Sequence, residues 1–549
     1  MSDKSYDVVV MGGGHNGLVV ACYLAMNGMK VGVFEEKWEL GGGACSEEYT
    51  APAFISNPCA NSMRFPYFPP YRDLNLKEYG LKFIYPKQNG SAIFDDDTCI
   101  ITRPCYELDP VTDEPKEIPG AAEANYKAIS KISQRDADTN EKLRDMFDKF
   151  LKDAINSYVL NPPPLPGEKD AFTKILEDPA VGLDPRLRYM SAGEIAYELY
   201  ESDHMRSYWM RSTASSTGCL PSAVPSLGAF GFALGQLIGG SPAGITVGGT
   251  HQIAHALQRF LSTHGSQFWV LSPVEKLLIE NGKAKGIKLR DGTEIEAKKM
   301  VISNLDIFQT VEMMGDYVSE DIKRKVNNLD VALGPLWWGS MAIHEAPKYR
   351  VEATEPDAAC FRNYLLPPDA RYMRYMYGPQ IFTRGFCDKA IHPYHNSHYD
   401  KSRCPAGEYE LSFEEYAPPA WRFTLREWLS KKEEFLESML KRWQFFAPNM
   451  TRDNIIAVHI NTPIELAMRN RAMREGQQFQ ISQCASQGGI FRPLQGLSRN
   501  RMPVKDLYLA SCSAHPMGAM VGWAGYCCYK ILCEDFGLRK IWEEKGRRY

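Results

Sequence analysis

The chain has 549 residues, too many for one ordinary hydrophobic core, so two domains or one large interleaved fold are expected. Its 63 Lys and Arg stand against 67 Asp and Glu, a net charge of −4 that supplies no basic field to gather nucleic acid or an anionic membrane, and no nucleic-acid partner is expected. Fourteen cysteines with no Cys-x-x-Cys pair read as reduced, buried thiols rather than disulfide staples.

The chain opens without a charged n-region, an apolar h-region or a small-residue cleavage site, so a cytoplasmic protein is expected. Tyr6-Asp7-Val8-Val9-Val10-Met11 is an apolar run suited to a central parallel strand. Gly12-x-Gly14-x-x-Gly17 follows, and Leu18, Cys22, Ala25 and Met26 then recur at helical spacing up to a stop at Asn27-Gly28. Lys30 to Phe34 reads as a second strand, ending at Glu35. In such a strand–turn–helix–strand unit the first glycine permits the tight turn, the second lets a pyrophosphate approach the backbone, and the third lets the helix pack closely. The helix N-terminus faces the phosphates with partial positive charge, and Glu35 accepts from ribose hydroxyls. The spacing predicts a dinucleotide-binding turn rather than a structural glycine loop.

Residues 120 to 158 carry helical periodicity, with Tyr126, Ile129, Leu143, Phe147, Phe150 and Leu151 on apolar positions, until Asn161-Pro162-Pro163-Pro164 breaks it. Ser191-Ala192-Gly193-Glu194 is a capping box opening another helix. Residues 212 to 257 contain no charged side chain, but Pro221, Pro225, Pro242 and repeated glycines argue against one continuous membrane span. Buried core and loop, the wall of an apolar tunnel or membrane-facing mouth, and a span are the three readings of that tract, in that order of preference. His251 and His255 lie i, i+4 on a helix without an evident third ligand, and no metal is expected. No Gly-x-Ser-x-Gly is formed around Ser241, because Ala243 takes the last glycine position. Between 268 and 304, Asn281-Gly282 and Asp291-Gly292 separate short β-rich runs, which describes a meander. A further amphipathic helix follows Thr424, with Trp428, Phe435, Met439, Leu440 and Trp443 near one face.

Gly41-Gly42-Gly43-Ala44-Cys45-Ser46, six residues past Glu35, resembles the second glycine pair of the FAD-dependent phytoene desaturase-like family. The first turn, Gly-Gly-Gly-His-Asn-Gly-Leu, is similar to that family's ketolase-type branch. Three further segments agree in order: 248–304 with Ser272-Pro273-Val274-Glu275-Lys276, then Arg492-Pro493-Leu494-Gln495-Gly496, then Leu507 to Val521 with His515-Pro516-Met517-Gly518. The resemblance implies an α/β fold: a Rossmann-like, glutathione reductase-type FAD-binding domain from 1–75, 245–315 and 480–549. It implies an interleaved α+β substrate-binding domain with a helical insertion from 76–244 and 316–479.

The same resemblance implies FAD contacts at Gly12, Gly14, His15, Asn16 and Gly17, at Glu35 and Glu36, at Gly41, Gly42 and Cys45, and at Val274. At the C-terminal motif it implies contacts from Ser511, Met517, Gly518, Ala519, Met520 and Val521. Ser511 and Met517 depart from the family by replacing glycines, which would restrict how closely that loop approaches the flavin. His515 is the titratable group expected nearest the flavin, as proton acceptor or as the cap of the next helix. The implied reaction is hydride removal from an apolar isoprenoid, carotenoid or smaller terpene, giving desaturation or allylic hydroxylation with water. A flavin-dependent isomerase or hydratase, and a flavin-binding partner subunit, are the alternatives. The electron acceptor is unassigned, and peripheral membrane contact and homo- or hetero-oligomers stay open.

Overall fold

The computed structural model describes residues 4–61, 64–109, 115–222, 228–518 and 521–549. The strand Ser5–Met11 lies inside a seven-stranded sheet, paired in parallel with Val31–Phe34 on one side and Glu294–Ser303 on the other. Val8, Val9, Val10 and Met11 are fully buried, as a strand covered on both faces requires. Gln267–Trp269 extends the sheet beyond Val31–Phe34 in parallel. At the opposite edge Val274–Glu280 and Lys283–Leu289 form a hairpin that continues antiparallel into Glu294–Ser303. The turn is Asn281-Gly282 with both residues at positive φ, 51° and 73°, the pair of dihedrals a two-residue hairpin needs. Leu507–Leu509 adds in parallel to the far half of Glu294–Ser303. The sheet is therefore assembled from three separated stretches of chain.

The helix His15–Met26 is buried over almost its whole length, which removes any need for an amphipathic stripe. It packs between the helices His251–Thr263 and Trp523–Phe536. Tyr23 stacks on Tyr529 with ring centroids 4.4 Å apart. Gly525 allows the closest approach, because a Cβ there would lie 2.3 Å from the Asn16 carbonyl oxygen.

A second, antiparallel sheet runs in the order His392–Tyr394, Tyr409–Tyr416, Leu336–Ile343, Ile455–Asn461. The helix Leu425–Phe446 begins at a Thr424/Glu427 capping box and buries Trp428, Phe435, Met439, Leu440 and Trp443 against one face of that sheet. Trp337 stacks on Phe435 at 4.6 Å within this layer. The two-residue alternation of a strand then turns Trp338 to the opposite face. There Trp338 is the register partner of Glu414, which is also the partner of His392.

The apolar periodicity of 120–158 is resolved into the helices Ala121–Ser130, Gln134–Met146 and Lys152–Leu160, the last two joined by a π-helical turn at Phe147–Leu151. The predicted capping box at Ser191 and Glu194 opens the helix Ala192–Leu199. The charge-free tract becomes the end of helix Asp203–Thr217, the helix Gly228–Gly240 and part of His251–Thr263. Pro225 lies outside the described residues. Among the described residues no helix is long and apolar enough to cross a membrane.

Candidate functional site

The first strand ends at Gly12, whose φ of +88° turns the chain sharply into the helix at His15. Gly17 has a different constraint. Its amide donates to Asn304 Oδ1 at 2.6 Å, and a Cβ on it would lie 2.8 Å from the Asn304 side chain. The residue against which the third glycine packs is thus the one that follows the parallel strand Glu294–Ser303. Gly42, at φ +62°, sits against Gly14, where its Cβ would be 3.1 Å from the Gly14 Cα. Gly41 donates its amide to the Gly13 carbonyl at 2.8 Å. The two glycine segments are therefore one continuous backbone surface.

Glu35 lies at the end of the second strand, 8% exposed. Its Oε2 accepts from the Gly13 amide at 2.7 Å and its Oε1 from the Lys37 amide at 2.9 Å. Burial, the largest influence, raises its pKa above the ordinary carboxylate value, and the two amides oppose that rise. The Ser272 amide donates to the Glu35 carbonyl at 2.8 Å, which brings Val274 to the same wall. The Glu36 carboxylate faces Arg471 at 3.6 Å.

One cavity of about 310 Å³ runs along these groups. Gly12, Gly14, His15, Asn16, Glu35, Glu36, Gly42, Val274 and Asn304 line one part. Cys512, Met517, Gly518, Val521 and Trp523 come from the C-terminal segment. The remaining wall, with Trp338, Tyr394, Glu414 and Tyr416, belongs to the second sheet, joined by Met473, Phe479, Arg64 and Arg362. The arrangement fits an extended dinucleotide: side-chain-free backbone opens a helix, a buried carboxylate stands at the next strand end, and a wall from the second sheet lies beyond. Gly12, Gly14, Glu35, Gly42 and Val274 would hold the nucleotide half, and Met517, Gly518 and Val521 would border the ring.

Several expected residues lie elsewhere. Gly17 and Gly41 are behind the cavity wall, in the packing just described. Cys45 lines a small adjoining recess with Gly42, and Cys59, which the sequence reading missed, occupies both walls. Ser511 is fully buried and its hydroxyl accepts from the Ser513 amide at 3.3 Å, so its side chain takes up no room in the cavity, contrary to the expected restriction. Met517 does stand in the wall. Ala519 and Met520 lie outside the described residues.

His515 is tied to a helix end and stands outside the described cavity wall. Its Nε2 lies 2.9 Å from the Tyr158 carbonyl and 3.1 Å from the Asn161 carbonyl, at the end of the helix Lys152–Leu160, and the ring is absent from the described cavity wall. Burial lowers its pKa to about 4, keeping it neutral as a donor to those carbonyls. The loop bearing it is fastened by Arg492, fully buried, which donates to the carbonyls of Cys512 at 2.6 Å, Phe479 at 3.0 Å and Ala514 at 3.2 Å. His251 and His255 stack at 4.7 Å, and His255 meets Glu39 at 2.8 Å. Among the described residues no group of three His, Cys, Asp or Glu side chains is arranged to hold a metal ion.

A family model described as an NAD(P)-binding Rossmann-like domain matches residues 10–72, the stretch holding both glycine segments and Glu35. One of the subunits of limonene dehydrogenase from Castellaniella defragrans is 24% identical, over 98% of this chain and 97% of that protein. Prolycopene isomerase of Daucus carota is 24% identical, over 98% and 81%. Over almost its whole length the chain is thus similar to members of the phytoene desaturase-like family of FAD-dependent oxidoreductases. Among solved structures, an oxidoreductase from Methanosarcina mazei shares the fold, with a TM-score of 0.57 and 17% identity over 96% of this chain and 99% of that one. The fold and these relatives support FAD as the cofactor.

Proposed function

We propose that this oxidoreductase removes a hydride from an allylic carbon of an isoprenoid, giving desaturation or, with water, an allylic alcohol. The observation that carries the reading is the shared cavity, in which the glycine turn and the aromatic face of the second sheet bound one space. When bound, the flavin supplies the hydride acceptor. The protein's part is positioning and exclusion of water. Trp338 is fixed by its indole N–H donating to the Asn57 carbonyl at 2.7 Å, and it presents an apolar face with Phe479 and Met473. Trp523 is locked edge-on against Phe68 at 4.9 Å. Rigid aromatic walls of this kind hold an apolar skeleton with few polar contacts.

The relatives favour a terpene-sized or carotenoid substrate, and one is named an isomerase, which keeps a non-redox reading open for the same cavity. The limonene dehydrogenase relative is named as one subunit of its enzyme, which also supports a hetero-oligomer, with the electron acceptor on or beyond a partner. The test is to add a panel of terpenes and carotenoids, without oxygen, to purified FAD-loaded protein. Loss of the oxidised flavin absorbance with a matching product supports dehydrogenation. Product formed only after prior reduction, with no net electron transfer, supports the isomerase instead.

A further inference from the structure

The cavity wall contributed by the second sheet is not purely apolar. Arg362, just before the strand Asn363–Leu366, lines it, as does Arg64. The Arg362 guanidinium lies over the Tyr364 ring at 5.4 Å, and its Nε is buried without a hydrogen-bond acceptor. Arg362 forms no ion pair among the described residues. Arg64 donates from Nε to the Ile238 carbonyl at 2.7 Å, and its positive charge adds to that of Arg362.

The neighbouring carboxylates are engaged elsewhere. Glu414 Oε1 accepts from the Tyr394 hydroxyl at 3.3 Å and lies 2.9 Å from His392 Nδ1. Glu415 faces a third guanidinium, Arg211, at 3.8 Å and accepts from the Tyr377 hydroxyl. Among the described residues neither carboxylate is ion-paired with Arg362. A desolvated cation without a matched anion is costly, and Arg362 lines the cavity. Such a guanidinium suits a planar carboxylate that it can bind through two N–H groups.

A second chamber of about 150 Å³ adjoins the first and shares Ser216, Ile238 and Arg362 with it. Its further walls include Ile101, Trp209 and Phe232. A ligand that spans both chambers passes the Arg362 guanidinium.

We propose that the substrate of this site carries one carboxylate on its apolar skeleton, and that Arg362, with Arg64 beside it, receives that carboxylate. The inference rests on the oxidoreductase reading of the cavity, but it concerns recognition and is tested by binding. Purified FAD-loaded protein is titrated with geranic acid, geraniol and myrcene, a ten-carbon acid, alcohol and hydrocarbon, following heat release and the perturbation of the flavin spectrum. The acid is expected to bind tighter than either neutral compound by about tenfold or more, the worth of a charge-assisted hydrogen-bonded pair. Arg362→Met is expected to erase that preference while leaving myrcene binding within about twofold, since apolar contacts survive. Glu414→Gln, which removes the nearest negative charge, is expected to tighten acid binding, a gain that misfolding cannot produce.

Equal binding of acid and hydrocarbon overturns the proposal, as does geraniol binding as tightly as the acid or an Arg362→Met protein that retains the preference. Acid that binds without bleaching the flavin leaves this proposal standing and counts against the redox reading. A hydrocarbon that bleaches it while the acid fails to bind does the reverse.

Discussion

The Glu35 carboxylate accepts the Gly13 amide at 2.7 Å, so the end of the second strand is tied to the turn that closes the first. Glu35→Gln keeps the size of the side chain but replaces one acceptor oxygen with a donor. FAD affinity, measured by quenching of flavin fluorescence, is expected to fall by about tenfold to a hundredfold, the range of a lost hydrogen bond to a charged group.

The same residue makes a pH prediction for the cofactor-free protein. Its pKa is raised in the folded state, so the folded chain binds more protons than the unfolded one above the ordinary glutamate value of about 4.3. Stability therefore falls as pH rises from that value through the raised pKa, and is level above it. Glu35→Gln cannot ionise. The difference in melting temperature, variant minus wild type, is expected to grow across that window; a constant difference contradicts the burial argument.

Gly525 and Asn16 carry a steric prediction. Gly525→Ala places a methyl group 2.3 Å from a backbone oxygen, and neither helix can yield without displacing the other. The cost is expected to be about 1–3 kcal/mol or more, as for overpacked cores. Gly537→Ala is the control: it has φ +62° but nothing within 4 Å of the added Cβ, so only about 1 kcal/mol of backbone strain is expected. Chemical denaturation of the two variants ranks them.

The glycine turn is legible in the sequence because its requirements are local. Gly12 needs a left-handed dihedral, Gly42 and Gly14 must touch, and Glu35 stands at a fixed distance along the chain. Helix starts at Ser191 and Thr424 are legible for the same reason, since a capping box closes within four residues. Asn304 is harder to read: its partner Gly17 is 287 residues away, and only its place at a strand end hints at the role. Arg64, Arg362 and Glu414 give no local signal at all. They share a wall because separate segments pack together, and an isolated arginine in an aromatic-rich stretch looks like any surface arginine. His515 misleads for a related reason. Its place in the C-terminal motif is visible in the sequence, while the carbonyls of Tyr158 and Asn161 that claim its ring lie more than 350 residues away.

Cys45 and Cys59 differ in acidity although they are neighbours. The Cys45 thiol donates to the Gly43 carbonyl at 3.9 Å and the Cys59 thiol to Met473 Sδ at 3.8 Å, while the interaction between the two thiols lowers the Cys59 pKa and raises that of Cys45. Cys59 stands in the main cavity wall, so it is expected to react first with iodoacetamide in cofactor-free protein, and FAD is expected to slow the reaction. Cys45→Ala removes the neighbouring thiol that lowers the Cys59 pKa and should slow alkylation of Cys59 severalfold at neutral pH. Peptide mapping by mass spectrometry separates the two sites.

His515 gives the complementary pH window. Its pKa falls from about 6.5 unfolded to about 4 folded, so below the unfolded value the unfolded chain binds the extra proton. The stability it contributes is intact above about pH 6.5 and is lost as pH falls through that value towards 4, by about 3 kcal/mol in total. His515→Gln removes the titration and is expected to flatten this part of the stability profile, even if it lowers stability at pH 7. Activity offers a second, independent readout. The His515 ring is not part of the described cavity wall, so the variant's rate against pH should keep its wild-type shape between pH 6 and 8, scaled only by the fraction of protein that stays folded. An acid limb present in the wild type and missing from the variant would return His515 to the chemistry.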